Sequence, residues 1–268
     1  MRPAWTDVFD PDTLGRTAPL PLAEPTKEWA WGNADGAGVK VAVIDSGVDA
    51  DHPLVHGLAG AVVVEFEPDA ENQVRYVPGP HEDLVGHGTA CAGIIRRVAP
   101  RAEIYSVRVL GATLRGRAAV FAGGLRWAID NGMHVLNLSL STGKSEWFGP
   151  LHELADEAYF RNIILVSAVN NVPGPSYPSL YSSVLSVAAH PGSDPWAFDY
   201  NPAPPVEFGA PGVDVEVAWL NGSNLEVTGN SFAASHIAGL VTRLLSKHRG
   251  LTPFQVKAVL QAMASNAR

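Results

Sequence analysis

Only one cysteine, Cys91, occurs among the 268 residues, which excludes an internal disulfide and suits a reducing compartment. No apolar run approaches the roughly 18–20 residues that a bilayer-crossing helix needs. The opening segment, Met1-Arg2-Pro3-Ala4-Trp5-Thr6-Asp7, lacks the apolar stretch of a secretory signal. Charge is scarce too: 17% of residues are Asp, Glu, Lys or Arg, and the net charge is −8. A chain of that sign is a poor match for a polyanion, so nucleic acid is not an expected partner. These features predict a cytoplasmic protein with neither a membrane nor a nucleic-acid partner. They say nothing of oligomeric state. What the chain does have is apolar side chain, 46% of the total, enough for one large core without staples.

Three glycine-framed stretches carry the chemistry. Residues 39–44 form a nearly continuous apolar run ending at Asp45-Ser46-Gly47. That pattern reads as a parallel strand buried on both faces, with Asp45 at the carboxyl end where α/β sheets bind ligands. Next, Gly86-His87-Gly88-Thr89-Ala90-Cys91-Ala92-Gly93 reads as the start of a helix, small enough to pack tightly, with Cys91 one turn beyond His87 as a buried filler. Last, Gly229-Asn230-Ser231-Phe232-Ala233-Ala234-Ser235-His236 opens an apolar helix, placing Ser231 beside backbone N–H groups and the positive end of the helix dipole. Taken singly, each polar residue is an ordinary turn or capping residue.

Between these stretches the pattern alternates. Strands are predicted at residues 61–66, 102–110, 134–141, 162–168, 184–189, 206–208, 213–218 and 225–227. Helices are predicted at 118–131, 151–160 and 252–264, the last with Pro253 in its first turn. Residues 67–83 read as a long polar loop, with His81-Glu82-Asp83 solvated, and 191–205 as irregular. Residues 1–38 read as a surface arm pinned by Trp5, Trp29 and Trp31, and 39–268 as a single domain. Strands alternating with helices specify an α/β fold, a mostly parallel central sheet with helices on both faces.

Val41-Ala42-Val43-Ile44-Asp45-Ser46-Gly47, Gly86-His87-Gly88-Thr89 and Gly229-Asn230-Ser231 with His236-Ile237-Ala238-Gly239 together resemble the subtilisin-like serine proteases, whose Asp, His and Ser occur in that chain order. The resemblance implies their three-layer fold and a serine endopeptidase with Asp45, His87 and Ser231 as the catalytic triad. It further implies an oxyanion hole from the Asn170 side chain and the Ser231 backbone N–H. A peptide or protein substrate would bind in extended form between Leu138, Ser139, Leu140 and Ser141 on one edge and Leu114, Arg115 and Gly116 on the other. No cofactor is implied.

The chain departs from that family in ways that imply a specialised enzyme. Asn230 stands where Thr is usual beside the nucleophile, Ser235 replaces a Pro, and Val169 replaces a Gly before Asn170. Ser141-Thr142 replaces two glycines beside the first specificity pocket. The calcium-binding loop usual after the His helix is missing: Ile94-Ile95-Arg96-Arg97 runs almost straight into the next strand, and Leu54 replaces a ligand Asp. That predicts no high-affinity calcium site. The prodomain usual in the family has no room, and a dedicated leader-removing or maturation peptidase fits the remainder. The alternatives are a catalytically impaired binding protein of the same shape, a transpeptidase or macrocyclase, and a metallohydrolase built on His52, His56, His81, Glu82, Asp83 and His87.

Overall fold

The computed structural model describes residues 25–203 and 205–267; Trp5 lies outside them. Its centre is a nine-stranded sheet of order β3-β2-β4-β1-β5-β6-β7-β9-β8. The strands are β1 (Lys40–Asp45), β2 (Gly60–Phe66), β3 (Val74–Pro78), β4 (Glu103–Arg108), β5 (Val135–Leu138), β6 (Ile164–Ala168), β7 (Leu185–His190), β8 (Asp199–Tyr200) and β9 (Phe208–Pro211). Neighbours from β2 to β9 run parallel, and only the edge strands β3 and β8 pair antiparallel. A separate hairpin joins β10 (Val215–Ala218) to β11 (Asn224–Val227).

The near-continuous apolar character of β1 has a direct cause. Val41 and Val43 enter the core on one face of the sheet, while Ala42 and Ile44 enter the core on the other. A strand covered on both faces has no polar side to display. The first face is covered by α2 (His87–Val98), α5 (Asn230–Lys247) and α6 (Pro253–Met263), the second by α3 (Ala118–Asp130) and α4 (Phe148–Phe160). The three-layer α/β architecture is therefore as expected. Thr252 closes a capping box with Gln255 at the start of α6. A short helix α1 (Lys27–Ala30) precedes Trp31, which is buried and donates its indole N–H to Leu240 O at 3.2 Å.

The stretch 67–83 is not the plain loop its composition suggests. Its second half forms β3, paired with β2 from Val62↔Pro78 to Phe66↔Val74. Only Val74 of that strand is buried. An edge strand with one covered residue carries no apolar alternation, and Pro78 at its end sacrifices no ladder bond. Within the expected irregular segment 191–205, Asp199 and Tyr200 pair with β9.

From β1 the chain winds to β2 and β4 on one side, then crosses to β5, β6 and β7 on the other. The winding reverses at β1, which opens a crevice at the carboxyl edge there. Asp45 ends β1, and the N-termini of α2 and α5 approach the same edge.

Candidate active site

Asp45 is fully buried. Its carboxylate accepts from its neighbour Ser46 N at 2.7 Å and from His87 Nδ1 at 2.8 Å (Oδ1) and 2.9 Å (Oδ2). A carboxylate can only accept, so His87 carries its proton on Nδ1 and leaves Nε2 free. The two flanking glycines explain how the ring reaches this place. Gly86 has φ +105, and a Cβ there would meet the Trp219 ring at 2.8 Å; one on Gly88 would lie 2.0 Å from Gly47 O. A larger residue at 88 would push α2 away from the chain just past β1, and one at 86 would strain the backbone and meet Trp219. Burial pulls the His87 imidazolium toward neutrality, but the charge and hydrogen bond of Asp45, with help from Asp83, outweigh it. The net pKa is raised.

Ser231 sits in the first turn of α5 and is 7% exposed. Its hydroxyl donates to Ser139 O at 3.3 Å, and among the described residues no hydrogen bond joins it to His87. The residues are nonetheless contiguous. Phe232 packs against the His87 ring with centroids 5.6 Å apart, and Cys91 Sγ lies 3.2 Å from Ser139 Oγ and 3.9 Å from Asp45 Oδ2. Cys91 itself is sealed in: burial, then the Asp45 charge, push its thiol pKa far up. Two residues beyond β6, Asn170 is exposed, and it is held by two side-chain contacts and one from its backbone. Nδ2 donates to Pro175 O at 2.9 Å, Oδ1 accepts from Ser141 Oγ at 2.5 Å, and its backbone N–H meets Ser176 Oγ at 3.0 Å. One Nδ2 hydrogen remains uncommitted.

The subtilase family model matches residues 36–268. The chain belongs to the subtilase family. A thermostable alkaline protease of Halalkalibacterium halodurans is 32% identical to it over 86% of this chain and 63% of its own length. Subtilisin BL of Lederbergia lenta is 33% identical over 86% of this chain and 85% of its own. A crystallised cold-adapted subtilisin-like serine proteinase superposes with a TM-score of 0.71 at 28% identity, covering 88% of this chain and 87% of that one. The chain thus spans just under two thirds of the length of the first of these relatives.

Within this subtilase the unusual Asn230 is fully employed. Its Oδ1 accepts from Ala189 N at 2.8 Å, and its Nδ2 donates to Val169 O at 3.0 Å and Asn170 O at 3.2 Å. It therefore ties the start of α5 to the ends of β6 and β7, and its polar atoms face backbone. Ser235 Oγ donates back to Ser231 O at 3.0 Å.

Of the expected peptide-binding edges, Leu138 lies inside the sheet. Its backbone pairs with β1 and β6, and its side chain is core. The exposed edge starts at Ser139. Among the described residues, the backbones of Leu140, Ser141 and Gly116 make no backbone hydrogen bond. Leu114, at φ +55, Arg115 and Gly116 line the facing loop and are exposed. Unpaired backbone on both sides is what an added strand requires.

Asp83 corrects the reading of 81–83 as a solvated string. It is 7% exposed and accepts five hydrogen bonds: Ser46 Oγ at 2.8 Å, Val85 N, Gly86 N and Thr89 N at 2.9 Å, and Thr89 Oγ1 at 2.6 Å. It caps α2 and fastens it to the residue after Asp45. The signal available in sequence was its position three residues before Gly86, with Thr89 following. His81 turns the other way, its Nε2 2.9 Å from Ser106 Oγ. The ligand set of a metallohydrolase is not assembled: among the described residues, the group of metal-binding side chains that comes together is Asp45, His87 and Cys91, without His52, His56, His81 or Glu82.

Proposed function

We propose that this subtilase is a serine endopeptidase. The observation that carries the reading is the pair of Asp45–His87 hydrogen bonds, which fixes the imidazole tautomer and leaves Nε2 free, with Phe232, the neighbour of Ser231, packed on the same ring. For the reaction Ser231 Oγ leaves Ser139 O and engages Nε2; such bonds are often loose before substrate arrives. Its proton passes to Nε2 as Oγ attacks the peptide carbonyl carbon. The oxyanion is met by the Ser231 backbone N–H and the uncommitted Asn170 Nδ2 hydrogen, and one such donor is worth about 2.7–4 kcal/mol, a magnitude known from a subtilisin. The tetrahedral intermediate breaks its C–N bond, Nε2–H protonates the leaving amine, and water repeats the sequence on the acyl ester.

Substrate in extended form adds a strand between Ser139–Leu140–Ser141 and Leu114–Arg115–Gly116. The range is narrow, as in a maturation or leader-removing enzyme, because the side chains of Ser141 and Asn170 are locked together where smaller residues would leave the groove open. We place the activity in the cytoplasm on the strength of the single, unpaired Cys91. Recovery of the active protein from culture medium would count against that placement. The test of the activity is a fluorophosphonate probe followed by peptide mapping. A covalent adduct on Ser231, lost in Ser231→Ala, is expected, together with cleavage of members of a peptide library. A folded protein that takes no adduct is instead a binding module, the reading favoured by the bond from Ser231 to Ser139.

A further inference from the structure

The edge that runs from Ser139 through Leu140 and Ser141 ends at a cavity of about 560 Å³. Phe66, Leu110, Phe121, Leu140 and Trp147 supply the apolar part of its walls, with Gln73, Ser141 and Thr142 beside them. Its rim is cationic, with Arg115, Arg117 and Lys144 all exposed. No carboxylate lines it, and none of the three cations forms an ion pair among the described residues. The Arg117 guanidinium lies 4.1 Å over the Phe66 ring, which positions the charge without neutralising it. This cluster runs against the sign of the whole chain, whose net charge is −8. On the far side of the α2 start, a cleft of about 580 Å³ has the opposite lining, Asp49, Asp51 and Glu82 among it. The groove therefore has a basic end.

We propose that this cavity selects substrates by an acidic side chain, Glu before Asp, seated among Arg115, Arg117 and Lys144. The proposal rests on the extended-peptide reading above. Leu140 to Thr142 lie one to three residues beyond Ser139, the residue that Ser231 touches. At about 3.3 Å per residue, the acidic side chain belongs roughly two to four residues from the attacked bond. The apolar walls lower the local dielectric and strengthen the attraction, and the longer Glu stem covers more of them. Exposed cations are screened within about 8 Å at physiological salt, so the selectivity weakens as salt rises.

The experiment uses fluorescent heptapeptides carrying Glu, Gln or Lys at each position in turn, titrated against Ser231→Ala protein so that binding is read without turnover. The expected result is one position at which Glu binds at least ~10-fold tighter than Gln and Lys binds weakest. That preference should fall several-fold between 50 and 500 mM salt, as screening lengths shorten from above about 10 Å toward about 3 Å. Arg117→Glu with Lys144→Glu should reverse it in favour of Lys. Equal binding of Glu and Gln peptides at every position, or no binding of either, overturns the proposal. Phosphonate labelling of the unaltered protein is scored separately. Labelling without an acidic preference sinks this proposal alone, and absence of labelling sinks the peptidase reading while the binding titration still decides this one.

Discussion

At the scale of single residues, the chemistry turns on how long His87 holds a proton. It must be neutral to accept one from Ser231, and the net effect of burial, Asp45 and Asp83 is to raise its pKa above the ordinary 6.5. Activity is therefore lost as pH falls through that raised value. The rising limb of kcat/KM against pH is expected to have its midpoint above 6.5. Asp45→Asn, which cannot hold the same tautomer, is expected to cost about 10⁴-fold in kcat. Asp83→Ala tests the residue that sequence reasoning missed. It strips acceptors from buried N–H groups, each loss costing about 1–3 kcal/mol, so a marked fall in Tm is expected. A purely structural role would leave the pH midpoint in place; loss of the Asp83 charge lowers it, and a pH–rate profile on the folded fraction distinguishes the two. The meeting of Asp45 with His87 was legible because three glycine-bearing motifs occur together in one chain order, although each alone reads as a turn or a cap. Asp83 was not, because a capping carboxylate between a histidine, a glutamate and an exposed leucine has the composition of a solvated turn, and only the fold reveals which N–H groups turn toward it.

Elements were legible where burial is two-sided or strictly periodic. β1, α3 and α6 announce themselves by an uninterrupted apolar run, a helical stripe and a capping proline. β3 hides because one buried valine is its whole apolar content, and Leu138 was placed on an edge because an apolar run does not say where its strand stops pairing. The end of α2 yields a prediction of its own. There the Arg96 guanidinium donates to Val55 O at 2.7 Å, Gly57 O at 3.1 Å, Pro100 O at 2.9 Å and Ala102 O at 2.7 Å. A fixed side-chain cation thus gathers carbonyls from two loops, in the part of the chain where sequence predicts no calcium loop. Arg96→Ala is expected to destabilise the protein by about 2–3 kcal/mol, given hydrogen bonds from a half-exposed charge. That is a fall of roughly 4–6 °C in Tm. Calcium should not restore it, and the unaltered protein should melt alike in EDTA and in millimolar calcium. A rise of many degrees with calcium would show that an ion still performs this task.

For the molecule as a whole, acid is a condition to which this architecture is exposed, and the largest single cause is His236. It lies in α5, 2% exposed, and neither ring nitrogen has a hydrogen-bond partner among the described residues. Burial first, then the positive charge of Arg97 and the nearby His190, lower its pKa to about 4. Above pH 6.5 folded and unfolded chains both hold it neutral, so it contributes no pH dependence. Below 6.5 the unfolded chain takes up a proton that the folded chain refuses, and stability declines by about 1.4 kcal/mol per pH unit until about pH 4, roughly 3 kcal/mol in all. His87 cannot produce this loss. Its folded pKa is raised, so its contribution is complete below about 6.5 and fades only as pH rises. Glu157, whose pKa is lowered chiefly by its hydrogen bond with Arg126, contributes above its ordinary value of 4.5 and loses that contribution only at more acidic pH. His81 and His134, whose pKa values burial also lowers, share the window between 6.5 and about 4.5 with His236, which is the more deeply buried. In His236→Leu, urea unfolding at half-unit steps should give a free energy that falls less steeply across that window, by up to about one proton, than in the parent protein, the remaining slope coming from His81 and His134. A misfit of leucine in the site would lower the whole curve without tilting it, so the slope carries the answer; an unchanged slope in the variant would mean that some other group takes up the proton.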